Sequence, residues 1–391
     1  MFGVVFCTGA FALGAVPAMA TPGHGKGHGH SHQNKGKPGA VYTETQDPAG
    51  NEVVVYRRSA KGKLTEIARV STGGVGSATN PPFGFPILDS QGGVELTRSN
   101  RLVFAVNAGD DTISSLKVTR HGLRLVDRES SGGDLPISLD SHGRLLYVLN
   151  ELSGDISGFR FDSQGQMTPI PGSTEALSTP GAAGVAAQVG FAPGGDVLAV
   201  SQRGGNVIDT FVLGSDDTPG PAHANPAGGE APFGFAFRDD GMLIGSNAGH
   251  VGDPADLANF HGSASSYRVG SDAALTNIDN VDTGQRATCW VVITKNHRFA
   301  YMTNTLSESV SRFRIRHNGD LDLLGNTATG AGFPSDEALS VNSRYLYVLV
   351  PSIMGGMSHI DSYKVRKGGG LTHLEATPSN LPPGVSGLAA R

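Results

Sequence analysis

The chain reads as an all-β, seven-bladed β-propeller with four antiparallel strands per blade. Three observations predict this: a strand-hinge-strand unit written repeatedly, a turn-rich composition without helical periodicity, and chain ends that supply complementary parts of one sheet. Seven copies of the unit run through 391 residues, and 56 Gly and 22 Pro provide turns at the rate that many short strands demand.

The clearest copy is RLLYVLNELSGDISGFRF, residues 144–161. It gives two strands, 145–149 and 155–161, joined by a polar hinge, and its period-two alternation of large apolar with small or polar residues predicts one buried set of side chains. Related copies stand at 40–58, 101–118, 196–213 and 298–315, with stretched versions at 242–269 and 345–365. A third strand ending in a Gly-rich turn follows the hairpins, clearest at 63–74, 123–133, 275–284 and 320–330. A leading strand precedes them, as in LPISLDSHGR, AQVGFAPGGD and CWVVITKNHR.

One equivalent rung of the leading strands is expected to hold Glu95, Ser138, Gly190, Ala236, Val292 and Ala338, spaced by 43, 52, 46, 56 and 46 residues. One further step reaches the C-terminal GVSGLAAR, residues 384–391. The first repeat begins with its second strand and the chain finishes on a lone first strand, so together they complete a seventh blade and leave no unpaired sheet edge at the junction. Small side chains suit an inner rung where blades converge. Glu95 stands out there, since a carboxylate at a crowded axis has to be paired, hydrated or protonated.

The N-terminal region reads differently. Residues 4–20 are apolar and end in Ala-Met-Ala, the pattern of a secretory signal peptide spanning 1–20, although Met1-Phe2-Gly3 carries no positive charge. Residues 21–39 hold no large apolar side chain and predict a disordered His/Gly-rich leader, leaving 40–391 as the propeller. His24, His28, His30 and His32 offer incidental metal affinity on a solvated linker and no defined site. With the signal removed, Cys289 is the single cysteine left, so no intramolecular disulfide is expected. A secreted monomer, extracellular or periplasmic, is the expectation.

The net charge of −5 and the lack of a basic stripe argue against a nucleic acid partner or an anionic membrane. No phosphate loop, serine elbow or cofactor fingerprint occurs, so no cofactor is expected. Two residues toward the entrance from the small rung lie Gln188, Trp290 and Asp336, with Glu337 beside the last. Loops leading into the first strands, and those between second and third strands, open on one face that collects Arg286, Glu230, Glu151, Arg203 and the insertion 249–263. Within that insertion His250, Asp253, Asp256 and His261 have metal-ligand chemistry without the tight spacing of a zinc motif, which favours a loop lid. Cys289, beside Trp290 on an apolar strand, reads as a small buried hydrophobe.

The repeats of the type GRLLYVLNELSGDISGF, their leading strands and the circular closure resemble the lactonase family of seven-bladed propellers, which includes 6-phosphogluconolactonase and carboxymuconate-lactonizing enzymes and overlaps with YVTN-type repeats. The likeness covers 40–391. It implies a carboxylic ester hydrolase, or a cyclase, working on a small lactone or sugar acid at the channel mouth. The family pattern places a His, then an Arg-His pair, then an Arg on successive leading strands, and a Glu after the Arg-His strand. Here these positions hold Ala187, Phe233-Gly234, Arg286 and Ala248, while an Asn-Glu pair, Asn150-Glu151, occurs two blades earlier.

Lactone chemistry needs a charge sink and a proton carrier. Arg286 is the expected sink, and Asp336, Glu337, Glu95 or Glu151 the carrier. Gln188, Trp290, Arg203 and Glu151 are the expected substrate contacts. The departures from the family pattern leave open a second reading, a non-catalytic extracellular propeller that binds a glycan, peptide or protein on the same face.

Overall fold

The structure, a computed structural model, describes residues 38–77, 88–179, 185–249, 261–352 and 356–391. The expected signal peptide, the expected leader up to residue 37 and residues 250–260 of the insertion lie outside the described residues.

Seven antiparallel sheets form, each ordered by sequence from its innermost strand outward. Blade 1 is the composite one. Its innermost strand is the C-terminal Ser386–Ala390, followed by Gly39–Glu44, Glu52–Arg58 and Leu64–Ser71. Val41 pairs with Ala390 and Tyr42 with Ala389, so the expected circular closure is present. Blades 2 to 7 begin with the inner strands Val94–Leu96, Pro136–His142, Ala186–Phe191, Pro232–Phe237, Thr288–Ile293 and Glu337–Leu339.

The second strands depart from the expectation of a single buried face. Leu102–Asn107, Phe299–Asn304 and Tyr345–Val350 are buried at every residue. Each such strand is sandwiched between neighbouring blades, so both pleat faces are covered and both select apolar side chains. Only the peripheral strands alternate, as Leu64–Ser71 does from end to end.

A polar residue ending the second strand ties down the turn into the third. Asn107 Nδ2 donates to Ser114 Oγ at 2.8 Å, Asn304 Nδ2 to Ser311 Oγ at 2.9 Å, and Asn150 Nδ2 to Asp155 Oδ1 at 2.8 Å. The Asn of the Asn150-Glu151 pair thus does a structural task that recurs in other blades.

The inner rung needs one correction. Glu95 pairs with Phe104 of its second strand, and the equivalent partner Tyr147 in blade 3 faces Asp140, not Ser138. The hairpin from first to second strand closes tightly in blade 3, with His142 paired to Leu145, so Asp140 lies seven residues before Tyr147 where Glu95 lies nine before Phe104, and an ungapped alignment misplaces the strand by two residues. Ser138 lies one rung higher, level with Gln188, which pairs with Ser201. The axial rung therefore holds two carboxyl groups, Glu95 and Asp140, on adjacent blades.

Candidate functional site

Innermost strands have no further strand to pair with, and their axial N–H and C=O groups need partners in a crowded centre. Side chains from neighbouring blades supply them. Gln188 Nε2 donates to Phe235 O at 3.0 Å while its Oε1 accepts Phe235 N–H at 2.7 Å. Asp140 Oδ2 accepts Phe191 N–H at 2.7 Å, and Asp336 Oδ2 accepts Leu388 N–H at 2.9 Å. Gln188 and Asp336, expected near the substrate, are engaged in holding adjacent blades together.

The segment 88–92 crosses the channel. Ser90 Oγ donates to Ile137 O at 2.7 Å in blade 3, Gln91 N–H to Ala187 O at 3.0 Å in blade 4, and Gln91 Nε2 to Val291 O at 2.7 Å in blade 6. Trp290 Nε1 donates to Ser90 O at 2.9 Å, and the indole packs on Phe233 with centroids 4.6 Å apart. Trp290 is thereby a buried strut for the crossing segment. This plug divides the interior in two.

On the axial side lies a chamber of about 370 Å³ with Glu95, Asp140, Asp336 and Glu337 in its walls. Burial pushes the Asp336 carboxyl up to about 7 despite its backbone N–H partners, and the Asp140 carboxyl up to about 6. Glu95 is raised by burial and by the neighbouring Asp140, and Ser141 Oγ donates to it at 3.1 Å. Glu337 is raised by burial and then by Asp336. Its two carboxyl oxygens have no well-formed hydrogen bond, the Val292 amide being the one group that favours the charged form. Glu44, in the second strand of blade 1, is likewise raised by burial. No Lys or Arg lines the chamber, so these carboxyls are held toward the protonated state.

On the other side of the plug a second pocket of about 360 Å³ opens among blades 4, 5 and 6. Its walls are apolar, with Phe233, Ala248, Ala287 and Leu306 prominent, and its polar feature is the Arg203–Asp89 pair. Arg203 Nη1 donates to Asp89 Oδ2 at 2.5 Å, Nε donates to Val185 O at 3.3 Å, and the guanidinium carbon stands 4.9 Å from the centroid of the Phe233 ring. Glu151 flanks the pair: burial raises its carboxyl to about 7, with Arg203 pulling it down and Asp89 pushing it up. Cys289 also lines the pocket, and burial pushes its thiol far above the range in which a thiolate forms, in keeping with a buried small hydrophobe.

Phe233 and Ala248, two of the positions at which the resemblance places catalytic side chains, lie in the wall of this pocket, and Ala187 belongs to the same apolar cluster. Gly234 explains one replacement physically. A Cβ there would sit 2.7 Å from Cys289 O and collide with the Gln91 amide of the plug, so a His does not fit.

The structure thus brings Arg203 and Glu151 together and sets Glu95, Asp336 and Glu337 around the other cavity. Arg286 is exposed at the rim, its Nη2 donating to Leu306 O at 2.8 Å and its N–H to Ser307 Oγ at 2.8 Å. Asp89 is the site residue that the sequence did not reveal, because it lies in a non-repeating segment before the first strand of blade 2. His261 is exposed, with Nδ1 4.0 Å from Asp282 Oδ1, while His250, Asp253 and Asp256 lie outside the described residues. Among the described residues no group of three or more His, Cys, Asp or Glu side chains is placed to hold a metal ion.

Comparison with known proteins agrees with the architecture. A family model described as Lactonase, 7-bladed beta-propeller, matches residues 18–176 and 137–248. No curated protein matches the chain. Among solved structures, a Bacteroides fragilis protein described as a candidate 6-phosphogluconolactonase is similar over 92% of this chain and 99% of its own, at 16% identity and a TM-score of 0.69. A Bacteroides uniformis counterpart with the same description aligns over 89% and 99%, at 20% identity and a TM-score of 0.68. The Pseudomonas aeruginosa periplasmic gluconolactonase aligns over 90% and 99%, at 15% identity and a TM-score of 0.69. At these identities the solved structures speak to the fold alone. The family match extends over more than half of the sequence, and the chain belongs to the lactonase family of seven-bladed β-propellers.

Proposed function

We propose that the protein hydrolyses a small lactone of largely apolar body in the Arg203 pocket, and that it does so as a secreted propeller comprising residues 40–391. The observation that carries this reading is a single guanidinium, oriented by Asp89 and Phe233, in the wall of an otherwise apolar cavity, with the raised Glu151 carboxyl outside the lining but within electrostatic reach of it. Family membership supports the lactone class, and the neighbouring relative described as periplasmic is compatible with export.

In this reading Arg203 receives the lactone carbonyl oxygen and stabilises the oxyanion as a water molecule adds to the carbonyl carbon. Glu151 accepts the proton of that water, and after the ring C–O bond breaks it returns the proton to the leaving ring oxygen. The product hydroxy acid then carries a carboxylate opposite Arg203. The walls select the substrate: one cation already satisfied by Asp89 suits a neutral ester better than a phosphorylated sugar. The acids of the axial chamber keep a structural role.

The test is acid release from a panel of apolar, sugar-derived and phosphorylated lactones by purified full-length protein. Turnover of the apolar members, rising with pH through about 7 and losing that limb in Glu151→Gln, is expected. Turnover confined to phosphorylated lactones would refute the substrate assignment. Silence across the panel from folded protein would refute hydrolysis and leave the binding propeller.

A further inference from the structure

Turns joining first to second strands and third to fourth strands emerge on the face opposite the Arg203 pocket. There, two depressions of about 650 Å³ and about 520 Å³ meet at Val341 and Asn342, which line both. Arg57, Arg58, Arg120 and Arg391 line the first. Lys295, Arg298, Arg344, Arg366 and Lys367 line the second. Among the described residues no Asp or Glu side chain lines either one. In a chain of net charge −5, nine cations along one continuous groove form a strong local field of opposite sign.

Five of these cations are not consumed by ion pairing. Arg57, Arg120, Lys295, Arg298 and Lys367 are exposed and have no Asp or Glu within salt-bridge distance among the described residues. Arg366 Nε donates to Thr372 Oγ1 at 2.8 Å, which leaves its positive charge in place. Blades 6, 7, 1 and 2, contiguous around the ring, carry the groove. The equivalent turns of blades 3 to 5 are predominantly acidic, with Asp162, Asp196, Asp216, Asp217, Asp239, Asp240 and Asp272 against Arg144 and Arg238.

We infer that this groove binds a linear acidic polysaccharide, a polymer whose carboxylates recur along a hydroxyl-rich chain. Guanidinium groups pair with carboxylates in a bidentate fork, and Asn100, Asn342 and Ser343 supply hydrogen bonds for sugar hydroxyls between them. Val341 and Ile67, exposed at 49% and 40%, give apolar ground for the C–H faces of the rings. A flat anionic membrane is disfavoured because the acidic half of the same face would be pressed against it. A single nucleic acid strand is disfavoured because no exposed aromatic side chain lines the groove for base stacking; Tyr42 and Phe299 are buried.

The experiment measures binding of fluorescently labelled alginate to the full-length protein at physiological salt, with dextran and a single-stranded DNA of matched charge as competitors. Alginate binding that weakens steeply with salt and is unaffected by dextran is expected. The double variant Arg120→Glu/Lys367→Glu should weaken it by about tenfold or more. Lys117→Glu, on blade 2 outside the groove, should not, and lactone turnover should be unchanged in both variants. If the charge-reversal pair compromises folding, Arg120→Gln/Lys367→Gln provides the same comparison with exposed neutral residues. Absence of alginate binding, an unchanged Kd in either groove variant, or displacement by the DNA at equal or lower concentration would each overturn the inference.

Discussion

Gln188 offers the sharpest separation between a binding role and a structural one. Its amide makes two hydrogen bonds to the backbone of Phe235, 3.0 Å from Nε2 and 2.7 Å to Oε1. Gln188→Met preserves the volume and removes both. The change leaves one N–H and one C=O of an inner strand without partners, at a cost of about 1–3 kcal/mol each, or about 2–6 kcal/mol in all. Water entering the chamber sets the lower end of that range. At roughly 2 °C per kcal/mol for a domain of this size, the melting temperature should fall by about 4–12 °C. Because Gln188 does not line the Arg203 pocket, KM for a lactone substrate should stay as in the parent at temperatures below the transition. The assay is a thermal melt read alongside Michaelis kinetics at 25 °C. A Tm within about 1 °C of the parent together with a raised KM would refute the reasoning and return Gln188 to the substrate.

Other expectations follow from the same geometry. Arg203→Met should lower kcat/KM by about 10²–10³, whereas Arg286→Ala, at the exposed rim, should lower it far less; steady-state kinetics on the two variants decides which arginine is the charge sink. The thermal stability should decline between pH 5 and pH 8. Glu44, Glu95, Asp140, Asp336 and Glu337 all hold their protons more tightly when folded. Their contribution is fully present below the unfolded carboxyl value of about 4 and is lost as pH rises through the folded values, about 6 for Asp140 and about 7 for Asp336. A melting temperature that rises across that interval would contradict these assignments. Truncation after residue 384 removes the inner strand of blade 1 and the Leu388 N–H that Asp336 accepts. Circular dichroism should then show loss of cooperative unfolding.

Glu337 and Glu44 remain the least economical features of the interior. Both Glu337 oxygens and Glu44 Oε1 lack hydrogen-bond partners at nearly complete burial. Protonation removes the charge that burial penalises, which is why the pH dependence above runs toward acid.

The sequence by itself determined the fold and the closure. Strand pairing in a propeller is local: each blade is built from consecutive residues, so the repeat carries its own pairing instructions and the split first blade is visible at the chain ends. The rung alignment was legible except at Ser138 and Asp140, where it failed because the blade 3 hairpin is two residues shorter than that of blade 2 and the repeat was aligned without a gap. Arg203 and Glu151 were legible in the sequence as residues of one face, but their convergence with Asp89 was decided by tertiary structure. Arg203 comes from a hinge of blade 4, Glu151 from a hinge of blade 3 and Asp89 from a non-repeating segment that crosses the axis, three separations that periodicity does not record. The basic groove escaped the sequence for the same reason. Its cations are scattered in ones and twos over four blades and become one surface only when the ring brings the ends of the chain together.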